Sequence, residues 1–456
     1  MTKDILNVVF VGGYCFAAVV SCSAQTPSET SSQSGHNALL NWAREQAVVL
    51  NTIEPGSDES DLQAFKQLVG DARIVFLGDS RHDAREQWML KHRLIEYLVN
   101  NMGFTVLAME ESLPCTSPLN AFLLGERDDL DQVLSEMGSW YIWDTVELQA
   151  LMISLRAHNE KATSGPGVRV YGFDSSDGAR QGVEFSLAFL AKADPETAER
   201  LRSAIDLAPF RVDFWPQTMQ KYGDLAAGAV DSLGVGLTSL VGALIERRDG
   251  LVAQGGEAEY EWALRHAIVA RQAHHMMLSL IHDSFEDAAT TREVAMADNL
   301  SWLLRVAAPG ERIIVWAHNF HVARAAQHLE IPGRPPATMD PLGHLLDKEF
   351  GGSMISIGFS FDRGVDSTGL MSAPEGWVDN LMAAVGPDAF LLDLRTAPPG
   401  SAARAWLEAE QTMRGEGGMA TLAPAKAFDA IAFIRGVGQV TRTARAGARR
   451  AALDGQ

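Results

Sequence analysis

The feature that most constrains the fold is a repeated alternation of short apolar strands and amphipathic helices. An apolar run at 73–77 is followed by a helical pattern at 84–100 and a second apolar run at 104–109. A strand, a helix and a strand within about 35 residues form a βαβ unit, whose strands normally pair in parallel. Further apolar strands are predicted at 168–171, 312–316, 354–357 and 430–434. We therefore predict an α/β protein with a mostly parallel central sheet flanked by helices.

Between 176 and 292 the strand signals stop and only helical patterns remain, at 183–193, 195–207, 225–246 and 257–282. A helical stretch of this length predicts a large insertion, or cap, over the sheet. Such a cap either walls a substrate cleft or covers one face of the sheet.

Charge and cysteine content exclude several classes of function. The 456 residues include 58 acidic and 38 basic side chains, a formal net charge of −20. This charge argues against a nucleic-acid partner, because affinity for a phosphate backbone comes mostly from Lys and Arg. Three cysteines are too few for a disulfide framework or a thiolate zinc site.

The N-terminal segment predicts export. An apolar run at 5–20 precedes Ser21, Cys22, Ser23 and Ala24. We expect a signal peptide over 1–24, a flexible linker over 25–37 and a periplasmic or envelope-anchored protein. The sequence VVSC at 19–22 resembles a lipoprotein cleavage box, with Cys22 as the lipid anchor; an uncleaved anchor is the alternative. At the other end, 441–456 is expected to be a solvated basic tail.

Ionisable and polar residues follow four of the predicted strands. In chain order they are Asp79 and His82, Glu110 and Glu111, Asp174, and His318, Asn319 and His321. In open parallel sheets, ligands bind beyond the carboxyl ends of the strands, so these side chains predict one site. Alternation along a strand would point Glu111 away from Glu110.

Three chemistries are compatible with this set. Ser80, in the sequence GDS, could be a nucleophile, although no separate base and orienting acid can be named for it. His82, Glu110, His318 and His321 have the chemistry of zinc or iron ligands. A histidine held by a carboxylate could instead remove a proton from water, with a cation stabilising the oxyanion.

Five sequence blocks together resemble the erythromycin esterase family. They are GDSRH at 78–82, GFTVLAME at 103–110, GFD at 172–174, REVAMADN at 292–299 and WAHNFH at 316–321. Their order and spacing carry the resemblance, since each block alone is weak. It covers about residues 38–435, which gives a catalytic domain over 38–440 with the insertion at 176–292.

The resemblance implies a hydrolase of a macrolactone ester that requires no metal or other cofactor, with a role in macrolide resistance. It makes His82 the general base, with Asp79 and Glu110 orienting it or the water. His318 and His321 complete the cleft, and Arg292 contacts the oxyanion or the substrate.

The resemblance also makes Lys91, Asp174 and Asn319 substrate contacts, and a small-molecule ester the partner. One departure is that Asp79 stands where the family has Glu. Two alternatives remain open: a metal-dependent hydrolase that uses the His and Glu residues, and a non-catalytic surface protein that binds haem or another ligand.

Overall fold

The computed structural model describes residues 29–137, 142–162, 165, 167–210, 215–366, 369–415 and 418–448. The strands in this part of the chain are β1 (Val48–Val49), β2 (Ile74–Leu77), β3 (Phe104–Ser112), β4 (Arg169–Asp174), β5 (Arg312–Trp316), β6 (Gln327–Glu330), β7 (Ala337–Met339), β8 (Met354–Asp366), β9 (Gly369–Ser372), β10 (Ala389–Asp393), β11 (Gln411–Gly415), β12 (Gly418–Leu422) and β13 (Ala430–Val437).

The α-helices over the same residues are α1 (Glu29–Gln46), α2 (Gln63–Val69), α3 (Arg85–Met102), α4 (Ser117–Leu123), α5 (Leu130–Ser135), α6 (Val146–Lys161), α7 (Ala179–Leu190), α8 (Pro195–Ala204), α9 (Trp215–Gly223), α10 (Ala227–Glu246), α11 (Arg248–His282), α12 (Phe285–Trp302), α13 (Asn319–Val322), α14 (Leu342–Phe350), α15 (Val378–Val385), α16 (Ala402–Glu408) and α17 (Pro424–Ala427).

The chain divides into two compact units. A sheet unit holds the described parts of 8–104, 145–151 and 314–456, and a helical unit holds those of 105–144 and 152–313.

In the sheet unit, three strands form a parallel centre. β8 pairs in parallel with β2 on one side and with β13 on the other. Beyond β13, β10 and then β1 add antiparallel strands, and β5 lies beside β2. All four residues of β2 are buried, as expected of a strand covered on both faces. The predicted α/β class with a mostly parallel sheet is confirmed.

A second, antiparallel sheet in the same unit has the strand order β11–β12–β6–β7. Its strands are short and half exposed, with burial that alternates along β6. Strands of three to five residues are too short for a clear periodic pattern, and the sequence did not predict this sheet.

In the helical unit, β3 and β4 pair in parallel, with an irregular register between Met109 and Ser112. The helices α7 to α11 follow, and the described residues of 176–292 contain no strand. This confirms the predicted helical insertion. Gly256 breaks α11 with a φ of +82°, which explains why the helical pattern begins at 257. By length and composition α10 could cross a membrane. Leu237 and Leu240 on one of its faces are buried within the protein, as in a core helix.

The N-terminal boundary differs from the prediction. Because α1 begins at Glu29, residues 29–37 are helical, and the flexible linker expected over 25–37 was wrong for them. His36 lies edge-on to Trp406 of α16, with ring centroids 6.1 Å apart, so α1 packs against α16 at this position. The expected signal peptide and Cys22 lie outside the described residues.

Candidate active site

The loop after β2 places a buried carboxylate at the centre of a polar cluster. Asp79 is 1% exposed and sits where β2 ends and α3 has not yet begun. Its Oδ2 accepts hydrogen bonds from Lys91 Nζ at 2.5 Å and from Trp316 Nε1 at 3.2 Å. Its Oδ1 lies 3.3 Å from Nδ1 of His82.

Asp79 is held ionised despite its burial. Burial alone would raise the pKa of Asp79, but the charge of Lys91 and then that of His82 bring it well below its ordinary value. Lys91 is fully buried and lies over the Trp316 and Phe359 rings, 4.5 and 5.5 Å from their centroids. Lys91 therefore contacts Asp79 and two aromatic rings, and it reaches the predicted base only through Asp79.

The rings of His82 and His318 meet edge to face, with centroids 5.2 Å apart. The His82 side chain is 25% exposed, whereas His318 is 2% exposed. Nδ1 of His82 faces a carboxylate, which can only accept, so the proton is assigned to Nδ1 and the lone pair to Nε2. His318 is the reverse: its Nδ1 accepts the Phe320 N–H at 3.1 Å, so its ring proton is on Nε2.

The turn after β5 is tied to the neighbouring strands by Asn319. Its Nδ2 donates to the carbonyl of Phe359 at 2.7 Å, and its Oδ1 accepts the Phe359 N–H at 2.9 Å. Its own N–H donates to the Asp79 carbonyl at 2.7 Å. Gly78 makes room for this side chain, because a Cβ there would lie 2.2 Å from Asn319 Oδ1.

Ser80 belongs to the loop after β2, and its side chain is shielded from solvent. It is fully buried, its hydroxyl accepts a hydrogen bond from Gln87 Nε2 at 2.7 Å, and its N–H donates to Gln87 Oε1 at 3.1 Å. A nucleophile must reach a substrate, so this geometry disfavours Ser80 in that role.

A second polar cluster lies in the helical unit, around Arg292 of α12. Its Nη2 donates to Glu110 Oε1 and to Asp174 Oδ2, both at 2.8 Å, and its Nε donates to Asp174 Oδ1 at 3.2 Å. Burial would lower the pKa of Arg292, but Asp174 and Glu110 outweigh it and raise the pKa. Conversely, Arg292 lowers the pKa of the buried Asp174 carboxyl against the effect of burial.

Glu111 is a buried carboxyl beside this cluster. It is 2% exposed; its Oε1 accepts the Ser112 N–H at 2.6 Å, and its Oε2 meets no hydrogen-bond donor among the described residues. Burial, and then repulsion from Asp177, raises the pKa of Glu111 well above its ordinary value. Glu111 lies within the irregular register of β3 between Met109 and Ser112, where strict alternation of side chains is not expected.

The predicted site residues therefore fall into two groups, one in each unit. Asp79, His82, Lys91, His318, Asn319 and His321 belong to the sheet unit, and Glu110, Asp174 and Arg292 to the helical unit. His321 is buried, with its ring centroid 6.5 Å from that of His318. The roles predicted for Lys91, Asn319 and Arg292 as substrate contacts stay predictions; the structure engages Lys91 with Asp79, Asn319 with Phe359, and Arg292 with Glu110 and Asp174.

Sequence reasoning missed several partners in these clusters. The indole N–H of Trp316 donates to Asp79, a contact that the sequence analysis did not predict. Gln87 lies one helical turn before Lys91 on the same α3 face, and this spacing was the available signal. Within the described residues, no group of three or more His, Cys, Asp and Glu side chains is arranged to hold a metal ion.

The sequence is similar to a family of esterases and to a putative hydrolase. The sequence model of the family described as erythromycin esterase matches residues 99–437. Erythromycin esterase type II of Escherichia coli is 22% identical over 390 residues, which cover 78% of this chain and 89% of that protein. A putative hydrolase of Bacillus subtilis strain 168, YbfO, is 25% identical over 294 residues, 62% of this chain and 63% of its own length.

Solved structures share the fold. A Bacillus cereus protein superposes with a TM-score of 0.77 at 23% identity, covering 90% of this chain and 99% of that one. A mutant of the erythromycin esterase EreC in its open conformation gives a TM-score of 0.69 at 18% identity, covering 86% and 98%. At these identities the likeness establishes a common architecture.

Proposed function

This chain belongs to the erythromycin esterase family, and we propose that it hydrolyses a carboxylic ester, a macrolactone among the candidates, with a water molecule activated by His82. Membership supports a hydrolase of the esterase type. The observation that carries the finer proposal is the arrangement of Asp79 between Lys91 and His82.

His82 has the features of a general base. Its Nδ1–H faces Asp79, so Nε2 is the ring nitrogen that carries the lone pair and can take a proton from a water molecule. The side chain is partly exposed, so water and substrate can reach it. As the proton arrives, the imidazolium is stabilised by the Asp79 carboxylate, which Lys91 keeps ionised.

His318 supplies a hydrogen-bond donor to the same reaction. Its ring proton is assigned to Nε2, because Nδ1 already accepts the Phe320 N–H. A hydrogen-bond donor that is fixed in place suits the oxyanion that forms when water adds to the ester carbonyl. Collapse of that intermediate breaks the bond to the alkoxide, which takes the proton from His82, so acid and alcohol leave and the enzyme is unchanged.

No metal or other cofactor has a step in this mechanism. Turnover should therefore survive EDTA and 1,10-phenanthroline, whereas the metal-dependent alternative predicts its loss. A serine mechanism would form an acyl-enzyme. After a rapid quench, the acyl group on Ser80 would increase the mass of the protein.

The decisive experiment is a substrate panel. Macrolides and simple 4-nitrophenyl esters are incubated with the purified protein, and products are identified by mass spectrometry. Gain of one water by an ester, with no acylated protein in the quench, supports water activation. Absence of turnover across the panel, with tight binding of haem seen in the absorption spectrum, would favour the ligand-binding alternative.

We also propose that the protein is exported, on the apolar run at 5–20 and the small residues that follow it. The intact mass of the mature protein tests this, since cleavage removes the residues before Cys22 or Gln25. Lipidation would add acyl mass at Cys22, and a mature chain that keeps Met1 would contradict a cleaved signal peptide.

A further inference from the structure

The chain beyond β13 forms an extended segment at the carboxyl edge of the sheet unit, residues 438–442, which we call the strap. β2 ends at Leu77, which pairs with Ile357 of β8. β8 and β13 continue in parallel past this level, as far as the pair of Gly364 and Val437. The strap therefore begins beyond the end of β2, on the side of the sheet where the loop after β2 lies.

The strap pairs with the backbone that directly follows His82. The Val440 N–H donates to the Asp83 carbonyl at 2.8 Å, and the Arg85 N–H donates to the Gly438 carbonyl at 2.9 Å. These two hydrogen bonds flank an antiparallel bridge between the strap and the loop. The strap thus holds the backbone immediately after the predicted base.

The strap also supplies the cap that α3 lacks. Ala84, the residue before α3, makes no side-chain capping hydrogen bond. The Gly438 carbonyl accepts the Arg85 N–H, one of the donors that a helix leaves without an internal partner at its N-terminus. In return, Glu86 Oε2 accepts the Gly438 N–H at 2.6 Å. Strap and helix start therefore hold one another in both directions.

The far end of the strap is attached to α6. The Thr441 carbonyl accepts the Val146 N–H at 2.9 Å, and the Thr441 N–H donates to the two carboxylate oxygens of Glu147 at 3.0 and 3.2 Å. Arg442 forms a second antiparallel bridge, with Thr145. Held at both ends, the strap is a fixed part of the sheet unit.

His82 lies between two attachments of its own loop. Before it, the Asp79 carbonyl accepts the Asn319 N–H; after it, the Asp83 carbonyl accepts the Val440 N–H. The distance of 3.3 Å between the His82 ring and the Asp79 carboxylate depends on both. A displacement of about 1 Å at a catalytic group can lower the rate about a hundredfold.

We propose that the strap positions the general base: through Val440 and Glu86 it holds His82 where its Nδ1–H faces Asp79. The inference rests on the proposed ester hydrolysis at His82 and deepens it. Val440 and Glu86 are positioning residues, because they act on the reaction only through the backbone beside His82. Loss of either contact displaces the base and leaves the substrate contacts in place.

Glu86→Ala tests the strap, because it removes the acceptor of the Gly438 N–H. It should lower kcat for 4-nitrophenyl acetate by about ten- to a hundredfold and change KM by no more than about twofold. Glu86→Gln loses the charge but keeps an oxygen that can accept this N–H, so its kcat should stay within about twofold of the wild-type value.

Glu96→Ala is the matched control. Glu96 lies on the same helix, its side chain is 15% exposed against 23% for Glu86, and its Oε2 also accepts a glycine N–H, that of Gly56, at 2.9 Å. Its loss should cost similar stability in urea denaturation and leave kcat unchanged. An equal fall of kcat in Glu86→Ala and Glu96→Ala, or no fall in Glu86→Ala, would overturn the proposal.

A pair of Val440 variants tests the other hydrogen bond, and it decides the matter if Glu86→Ala does not fold. Val440→Pro removes the N–H that is donated to Asp83. Val440→Ala keeps this N–H and loses most of the same side chain, so it controls for packing. Val440→Pro should lower kcat about tenfold more than Val440→Ala does. Equal losses would assign the effect to packing and overturn the hydrogen-bonded strap.

The tautomer of His82 separates this proposal from the proposed function. Nitrogen NMR shifts of the two ring nitrogens, assigned by comparison with His82→Gln at a pH where the ring is neutral, distinguish a proton on Nδ1 from one on Nε2. The wild-type ring should carry it on Nδ1, and Glu86→Ala should give a mixture. If no ester is hydrolysed while the tautomer depends on Glu86, the hydrolase fails and the strap stands. If esters are hydrolysed and the tautomer is the same in both proteins, the strap fails and the hydrolase stands.

Discussion

Lys91 reaches Asp79 from α3 and closes an ion pair of 2.5 Å between two side chains that are 0% and 1% exposed. Such a pair is costly to bury and more costly to break, because the remaining charge has no solvent to stabilise it. His82 is the third member of the cluster. Because the Asp79 carboxylate also faces His82, Lys91 acts on the predicted base through Asp79. This arrangement makes the pair testable separately from catalysis.

Lys91→Met should lower the free energy of unfolding by about 3–5 kcal/mol, measured by urea denaturation. Adding Asp79→Asn should recover part of this loss, because the amide removes the uncompensated buried charge. The control is Lys192→Met, which breaks a 2.6 Å ion pair with Glu259 between side chains that are 45% and 52% exposed. It should cost at most about 1 kcal/mol. Equal losses in the two single variants would contradict the buried-pair interpretation.

His82→Gln should lower kcat by about 10²–10⁴-fold with little change in KM, because it removes the proton acceptor and leaves substrate contacts in place. His328→Gln, at an exposed position on β6, is the matched control and should retain wild-type kcat. His82→Gly with added imidazole gives a sharper test, since an external base can replace the missing ring. Rescue by imidazole supports a proton-transfer role, whereas a Ser80→Ala variant that alone loses all activity would replace it with a serine nucleophile.

The parallel centre of the sheet and the helical insertion were predictable because their signals are local. Ile74–Leu77 is apolar at every position, and a long stretch without apolar runs can hold only helices and loops. The strand-end rule placed Asp79, His82 and His318 in one cluster for the same reason, since each lies within five residues of the end of its strand. The resemblance to the erythromycin esterase family assigned roles to these residues, but it predicted none of the contacts between their side chains.

The side-chain partners were not predictable, because they depend on register and tertiary packing. Lys91 could be a surface residue by its sequence neighbours, and only the approach of Asp79 from another element explains its burial. The same holds for Glu111, which lies at an irregularity in β3 that the residues of the strand do not predict. Local periodicity fixes which face of an element is apolar, and it carries no information on which polar groups meet there.

The free energy of unfolding of Glu111→Gln should rise relative to that of the wild-type protein as pH rises. In the unfolded chain Glu111 ionises near its ordinary pKa of 4.5, whereas in the folded protein burial and repulsion from Asp177 raise its pKa. Between these two values the folded state binds more protons than the unfolded state, so the wild-type free energy of unfolding falls as pH rises through the interval. A neutral amide does not titrate and escapes this loss.

The measurement is urea denaturation of both proteins from pH 4 to pH 8. Glu199→Gln, which removes a carboxyl from an exposed position on α8, is measured alongside as the control. A Glu111→Gln difference that does not change with pH would show that the Glu111 carboxyl ionises alike in the folded and unfolded states.

Gly78→Ala should destabilise the sheet unit and impair catalysis together. The added methyl group would lie 2.2 Å from Asn319 Oδ1 and 3.0 Å from the Ile357 carbonyl, so Asn319 must leave its place between the strands. Each Phe359 backbone group that then loses its partner costs about 1–3 kcal/mol. Because Asn319 also donates its N–H to the Asp79 carbonyl, the shift moves the carboxylate that orients His82 and lowers kcat.

A double-mutant cycle identifies Asn319 as the cause. Asn319→Ala removes the side chain that the new methyl group meets, so Gly78→Ala should cost less in that background, with a coupling energy of about 0.5–3 kcal/mol. Gly352→Ala is the control, since a Cβ there meets no heavy atom within 4 Å, and it should change stability by no more than about 0.5 kcal/mol. Urea denaturation of the four proteins in the cycle measures the coupling. Additive costs would assign the strain at Gly78 to the Ile357 carbonyl instead, because that contact is the same in both backgrounds.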